Sequence, residues 1–113
     1  MLSLVTAVIK PHKLDDVKDA LRDAGVTGMT VTEVRGFGRQ GGKTESYRGS
    51  EYKTDFVPKI KIETIVPTVD VTRVIGLIAE ASQTGQIGDG KIWSIDVGAL
   101  MRVRTGEMGE DAV

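Results

Sequence analysis

Gly85-Gln86-Ile87-Gly88-Asp89-Gly90-Lys91 sets three glycines and an acid immediately before a lysine. Glycines let consecutive backbone N–H groups converge on an anion, and Lys91 adds a point charge beside them. The run fits G-x-x-x-x-G-K, but Ile92 stands where a P-loop needs a hydroxyl for magnesium. A strand follows it, so no helix N-terminus is available for phosphate. What survives is a weaker anion-binding turn, against which stands an ordinary helix-to-strand connection. Gly36-Phe37-Gly38-Arg39-Gln40-Gly41 matches G-x-G-x-x-G after a strand, with Asp55 near the distance of a ribose-binding acid. No amphipathic helix follows Gly41, which argues against a dinucleotide site. Arg102 and Arg104 alternate, so a short strand would put both guanidinium groups on one face, a pair suited to polyphosphate. The competing reading is a solvated edge strand whose charges discourage aggregation.

The elements that must position these groups follow from periodicity. Leu2 to Ile9 is an apolar, β-branched strand; Leu14, Val17, Leu21 and Ala24 then recur at helical spacing until Gly25 stops the helix. Met29 to Arg35 reads as a second strand. Ile60, Ile62, Thr64 and Val66 alternate with Lys59, Lys61 and Glu63 as a third. Val71, Val74, Ile75, Ile78 and Ala81 form a second helical stripe, with Thr68 or Asp70 as N-cap and Gly85 past its end. Lys91 to Val97 is a fourth strand and Leu100 to Val103 a short fifth. The order β-α-β-β-α-β predicts an α+β, ferredoxin-like sandwich, an antiparallel sheet with both helices on one face. Ile60, Ile62, Trp93, Ile95 and Val97 are expected under the helices, Trp93 as core. Ile92 then falls on the other face, which a further subunit would cover.

Between the second and third strands lies Gly36 to Phe56, about twenty polar residues with five glycines, Tyr47, Tyr52 and a cationic excess. It has too few aliphatic groups for a core and reads as a mobile arm at 37–56 offered to partners. Its half-length could reach ~30 Å.

Composition bounds the rest. The chain has 113 residues and reads as one domain, 1–113, able to fold without disulfides. It has no cysteine, which excludes thiolate chemistry and makes a reducing cytoplasm the default. No long apolar run or signal-peptide pattern is found, so the chain reads as soluble and unprocessed. Fifteen basic against sixteen acidic residues leave no overall footprint for nucleic acid or membrane. His12 alone is a poor metal site. Glu107, Glu110 and Asp111 give an acidic, mobile tail over 106–113.

The whole chain resembles the PII nitrogen-regulatory signal-transduction family, from V-I-K-P at its start to R-V-R-T-G-E near its end. The modification-site pattern is Tyr47-Arg48-Gly49-Ser50-Glu51-Tyr52. The C-terminal signature runs from Thr84-Gly85-Gln86 to Lys91-Ile92-Trp93, and Gly28 to Val34 with Gly36 to Gln40 also matches. Ser94 and His12 depart from the family at positions away from its chemistry.

The resemblance implies a homotrimer that binds ATP or ADP between subunits and, with Mg-ATP, 2-oxoglutarate. Gly88, Asp89, Gly90 and Lys91 would wrap the nucleotide from one subunit, and Arg102 and Arg104 would reach its phosphates from the next. Thr30, Gly36, Gly38, Arg39 and Glu63 fall at further nucleotide-contact positions. Gln40 corresponds to the Mg2+ ligand that also meets 2-oxoglutarate, and Lys59 to the group that pairs with its carboxylate. Tyr52 corresponds to the nucleotidylated tyrosine, by uridylyl or adenylyl transfer, and Ser50 to a site phosphorylated in some relatives. The implied partners are a nucleotidyltransferase, an ammonium channel at the inner membrane face, and nitrogen-metabolism enzymes or transcriptional regulators. Two other classes fit less well. An ATP-hydrolysing enzyme would need a catalytic constellation beyond Asp89 or Glu63. Direct nucleic-acid binding would need aromatics on central strands, whereas four of the five aromatics lie in or beside the arm.

Overall fold

The computed structural model describes residues 1–38 and 55–113. Strand β1 (Leu2–Ile9) is the axis of the sheet, because its β-branched run has a partner on each side. It pairs antiparallel with β3 (Val57–Pro67), from Leu2↔Pro67 to Ile9↔Ile60, and with β4 (Gly90–Val97), from Leu2↔Val97 to Ile9↔Gly90. Strand β2 (Thr30–Gly36) closes the other edge against β3, giving the order β2-β3-β1-β4.

Helix α1 (Leu14–Asp23) carries Asp15 and Asp16 in its first turn, where the helix dipole favours acids. Gly25 ends it at φ +92: its N–H bonds Arg22 O and that of Val26 bonds Leu21 O, satisfying carbonyls that the helix leaves open. Helix α2 (Val71–Ser82) follows a tight 3-10 turn over Thr68–Asp70. Asp70 stands at the N-cap position as expected, but neither it nor Thr68 makes a capping hydrogen bond. Asp70 already has helical dihedrals, which aim its carboxylate away from the amides; it lies 3.8 Å from Arg73 instead, and the Thr68 hydroxyl meets that of Ser3 at 2.8 Å.

Both helices cover one face of the sheet. Val5, Ala7 and Ile9 of β1, Ile60, Ile62 and Val66 of β3, and Val17, Leu21, Val74 and Ile78 of the helices form the core. This is the ferredoxin-like α+β arrangement. The register, however, reverses β4 relative to the sequence expectation. Ala7↔Ile92 puts Ile92 beneath the helices, while Thr6↔Trp93 and Leu4↔Ile95 place Trp93, Ile95 and Val97 on the uncovered face. Trp93 is 45% and Ile95 56% exposed. Large apolar groups of both parities on β4 concealed its orientation.

The fifth strand does not form. Gly106 N–H bonds Arg102 O at 2.8 Å and Arg102 N–H bonds Glu107 O at 2.9 Å, turning the chain back so that only an isolated Met101↔Met108 bridge remains. The acidic tail is correspondingly folded: Gly109 N–H bonds Leu100 O, and Gly109–Ala112 forms a 3-10 turn.

Two glycine substitutions test this packing. At Gly90, with φ +108, an added Cβ would lie 1.8 Å from Val8 O, between paired strands that cannot part. Gly90→Ala is therefore expected to cost about 3 kcal/mol in urea unfolding. Gly76, inside α2 with nothing within 4 Å of its added Cβ, is expected to give about 0.5–1 kcal/mol of added stability as Gly76→Ala.

Candidate functional site

The connection from α2 to β4 is built around one carboxylate. Asp89 accepts the backbone N–H of Thr84 and of Gly85, each at 2.8 Å, and the Thr84 hydroxyl at 2.5 Å. Thr84 Oγ1 in turn accepts Gln86 N–H at 3.1 Å. Glycines at positive φ, Gly85 at +84 and Gly88 at +96, allow the loop to close this tightly. Lys10, from the end of β1, places its ammonium 3.3 Å from Asp89 Oδ1 and donates to Thr84 Oγ1 at 3.2 Å. The bonds from the Thr84 hydroxyl and amide, with that from Gly85, hold the Asp89 carboxyl well below the usual carboxylate range. The Gly85 amide, which the sequence offers to an external anion, thus binds an internal one, beside the amide of Thr84.

Lys59 lies beside this turn on β3. It is only 9% exposed, and its ammonium donates to Gly88 O at 2.5 Å. Burial, then repulsion from Lys10, pushes its pKa down, and Asp89 partly opposes them. A cleft of about 440 Å³ opens here, lined by Gly36, Phe37, Gly38, Lys59, Gly88, Gly90 and Lys91 with Val8, Ile87 and Trp93. Phe37 packs edge-to-face on Phe56, centroids 5.5 Å apart, just beyond the last β2–β3 pair, Gly36↔Val57.

Thr30 and Glu63 are not in that cleft. They face each other across the β2–β3 ladder and line a second cleft of about 490 Å³ with Gly28, Met29, Leu4, Ile65, Leu100 and Val113. The Thr64 hydroxyl fixes its floor by donating to Gly28 O at 2.6 Å. Arg102 borders Val113, to whose carbonyl oxygen it donates at 3.2 Å while pairing with Glu107 at 2.5 Å. Arg104 is exposed in the turn, so the two arginines do not share a strand face as expected. Arg39, Gln40, Ser50 and Tyr52 lie outside the described residues. Among the described residues no three or more His, Asp or Glu side chains are grouped to hold a metal ion, and no helix is long and apolar enough to cross a membrane.

Lys10 and Thr84 were not singled out as chemistry-bearing by their sequence context. Thr84-Gly85 ahead of Asp89 carries the signal of a side-chain-closed turn. Lys10 carries none, since only the sheet brings it to a partner 79 positions away.

Known proteins resemble this chain along nearly its whole length. The family model described as "Nitrogen regulatory protein P-II" matches residues 2–107. Proteins named nitrogen regulatory protein P-II from Pasteurella multocida and Haemophilus influenzae are 59% and 57% identical over 109 residues, 96% of this chain and 97% of each relative. Nitrogen regulatory protein P-II 1 of Escherichia coli is 56% identical over the same span. Among solved structures, Arabidopsis thaliana PII bound to citrate superposes with a TM-score of 0.82 at 39% identity, covering 99% of this chain and 92% of that one. The chain belongs to the nitrogen regulatory P-II protein family.

Because the Asp89 pKa is lower folded than unfolded, its stabilisation is fully present above about pH 4 and is lost as pH falls. Asp89→Asn is expected to unfold at lower urea than the parent protein near neutrality, with the gap narrowing in acid. Urea midpoints measured across that pH range check the sign.

Proposed function

We propose that the protein is a regulator that senses ATP or ADP and, together with Mg-ATP, 2-oxoglutarate, in sites formed between the subunits of a homotrimer. The observation that carries this reading is the division of the expected contact residues between two clefts. Gly36, Gly38, Lys59, Gly88, Gly90 and Lys91 line one, whereas Thr30 and Glu63 line the other, with Arg102 at its border. Neither set encloses a nucleotide alone, but one copy's first cleft set against a neighbour's second would supply glycine amides, lysines and arginine around a polyphosphate. The uncovered sheet face, with Trp93 and Ile95 exposed, supports such packing.

The electrostatics suit these ligands. Lys59 and Lys91 bring positive charge to the first cleft, while the carboxylate nearest them, Asp89, is already committed within its turn. Magnesium would draw its oxygens mainly from phosphate and 2-oxoglutarate, with Gln40 as the protein ligand, a mixed shell that this ion accepts. The neighbouring structure's citrate, a small polycarboxylate, supports a carboxylate ligand of the same kind.

Regulation then follows from linkage. A ligand touching Gly36, Phe37 and Gly38 at the root of the arm would favour only those arm conformations compatible with it. The arm, 37–56, would present this state to an ammonium channel at the membrane face and to nitrogen-metabolism enzymes or transcriptional regulators. Nucleotidylation of Tyr52, or phosphorylation of Ser50, would add bulk and negative charge to a basic segment and release partners with tight or acidic sockets. The protein acts as a cytoplasmic regulator and not an enzyme.

Calorimetry decides the sensor reading. Titrated 2-oxoglutarate is expected to give heat with Mg-ATP and none without it, and Lys59→Met is expected to weaken that binding at least about tenfold, a loss consistent with one charge-assisted hydrogen bond. Heat without Mg-ATP, or silence in both cells, counts against it. Separately, Tyr52→Phe is expected to abolish the intact-mass increase produced by the nucleotidyltransferase while leaving ATP affinity unchanged.

A further inference from the structure

Two lysines stand opposite each other where β1 leaves the sheet. Extending the Ile9↔Ile60 pairing by one residue sets Lys10 against Lys59. Neither is well solvated: the Lys10 side chain is 21% exposed, and Lys59 less so. Like charges directly opposed on neighbouring strands are unfavourable, and partial desolvation deepens the cost. Among the described residues, one carboxylate, Asp89, influences both. It is not shared equally. Lys10 contacts Asp89 Oδ1 at 3.3 Å and the Thr84 hydroxyl at 3.2 Å, whereas Lys59 is left with a neutral partner, Gly88 O. Lys91, on the wall of the same cleft, adds a further positive charge. Lys59 is therefore a nearly buried ammonium whose counter-charge has been assigned to its neighbour.

We propose that Lys10 is a positioning residue of the anion cleft: by holding Asp89 it keeps that carboxylate off Lys59, so that the Lys59 ammonium is neutralised by a ligand carboxylate or phosphate. The proposal rests on the reading of Lys59 as an anion contact. Without the Lys10 charge, the attraction of Asp89 for the Lys59 ammonium is no longer offset, and an internal ion pair competes with the ligand. Arginine at position 10 would keep Asp89 engaged through its forked donors.

The test combines two measurements. In calorimetry with saturating Mg-ATP, Lys10→Met is expected to bind 2-oxoglutarate roughly tenfold more weakly than the parent protein, and Lys10→Arg within about threefold of it. In ligand-free protein, the Lys59 titration is followed by the NMR shift of its ¹³Cε. Its midpoint is expected to rise in Lys10→Met, and adding Asp89→Asn is expected to lower it more in that background than in the parent protein. Parent-like affinity in Lys10→Met, an equal loss in Lys10→Arg, or an Asp89→Asn effect of the same size in both backgrounds would overturn the proposal. If the parent protein gives no heat with 2-oxoglutarate, the sensor reading falls, and the two-background NMR comparison still decides how the charge is divided.

Discussion

Two helices can seal only one face of a four-stranded sheet, and the rest of this structure is arranged around that limit. On the sealed side β1 and β3 bury Val5, Ala7, Ile9, Ile60 and Ile62 against α1 and α2. On the open side the same strands present Leu4, Val8 and Ile65, with Trp93 and Ile95 from β4, to whatever adjoins them. Both clefts lie along the margins of this open side, so most of the residues that could meet a ligand sit at strand ends and in turns, Glu63 within β3 being an exception. Core packing can then stay fixed while loops carry the chemistry.

The fold was legible because its signals were local. Gly25 closing α1, the alternation of Ile60 to Val66, and the apolar stripe of α2 each follow from side-chain period and need no knowledge of partners. Orientation of β4 was not legible. Ile92, Trp93 and Ile95 are all large and apolar, so the parity that buries one face is set by pairing with β1 and not by composition. Arg102 and Arg104 misled for a related reason. Alternating charges read as a strand, but Gly106 at φ +75 and the Arg102–Glu107 contacts fold the segment into a turn.

The candidate site divides in the same way. Residue types announced the glycine turn and Lys91, and the family resemblance named Lys59, Thr30 and Glu63. The distribution of these groups over two separate clefts is a property of the sheet, which sends the β2–β3 ladder and the α2–β4 turn to different margins. So is the convergence of Lys10, Lys59, Thr84 and Asp89. A carboxylate that receives three hydrogen bonds from its own turn gives that turn a defined shape before any ligand arrives, so less ordering remains to oppose binding.

The place of β1 also bears on how the chain folds. Its hydrogen-bonding partners are β3, some fifty residues onward, and β4, which ends at Val97. Neither is a neighbour along the chain, so the central strand cannot be satisfied by a hairpin. Both of its edges remain open during synthesis until most of the chain has emerged. Such distant pairings must meet the entropy of closing long loops before they gain contacts, which slows folding relative to a chain held by local contacts. Until β4 docks, the apolar edge of β1 is also the segment most exposed to mispairing with another copy.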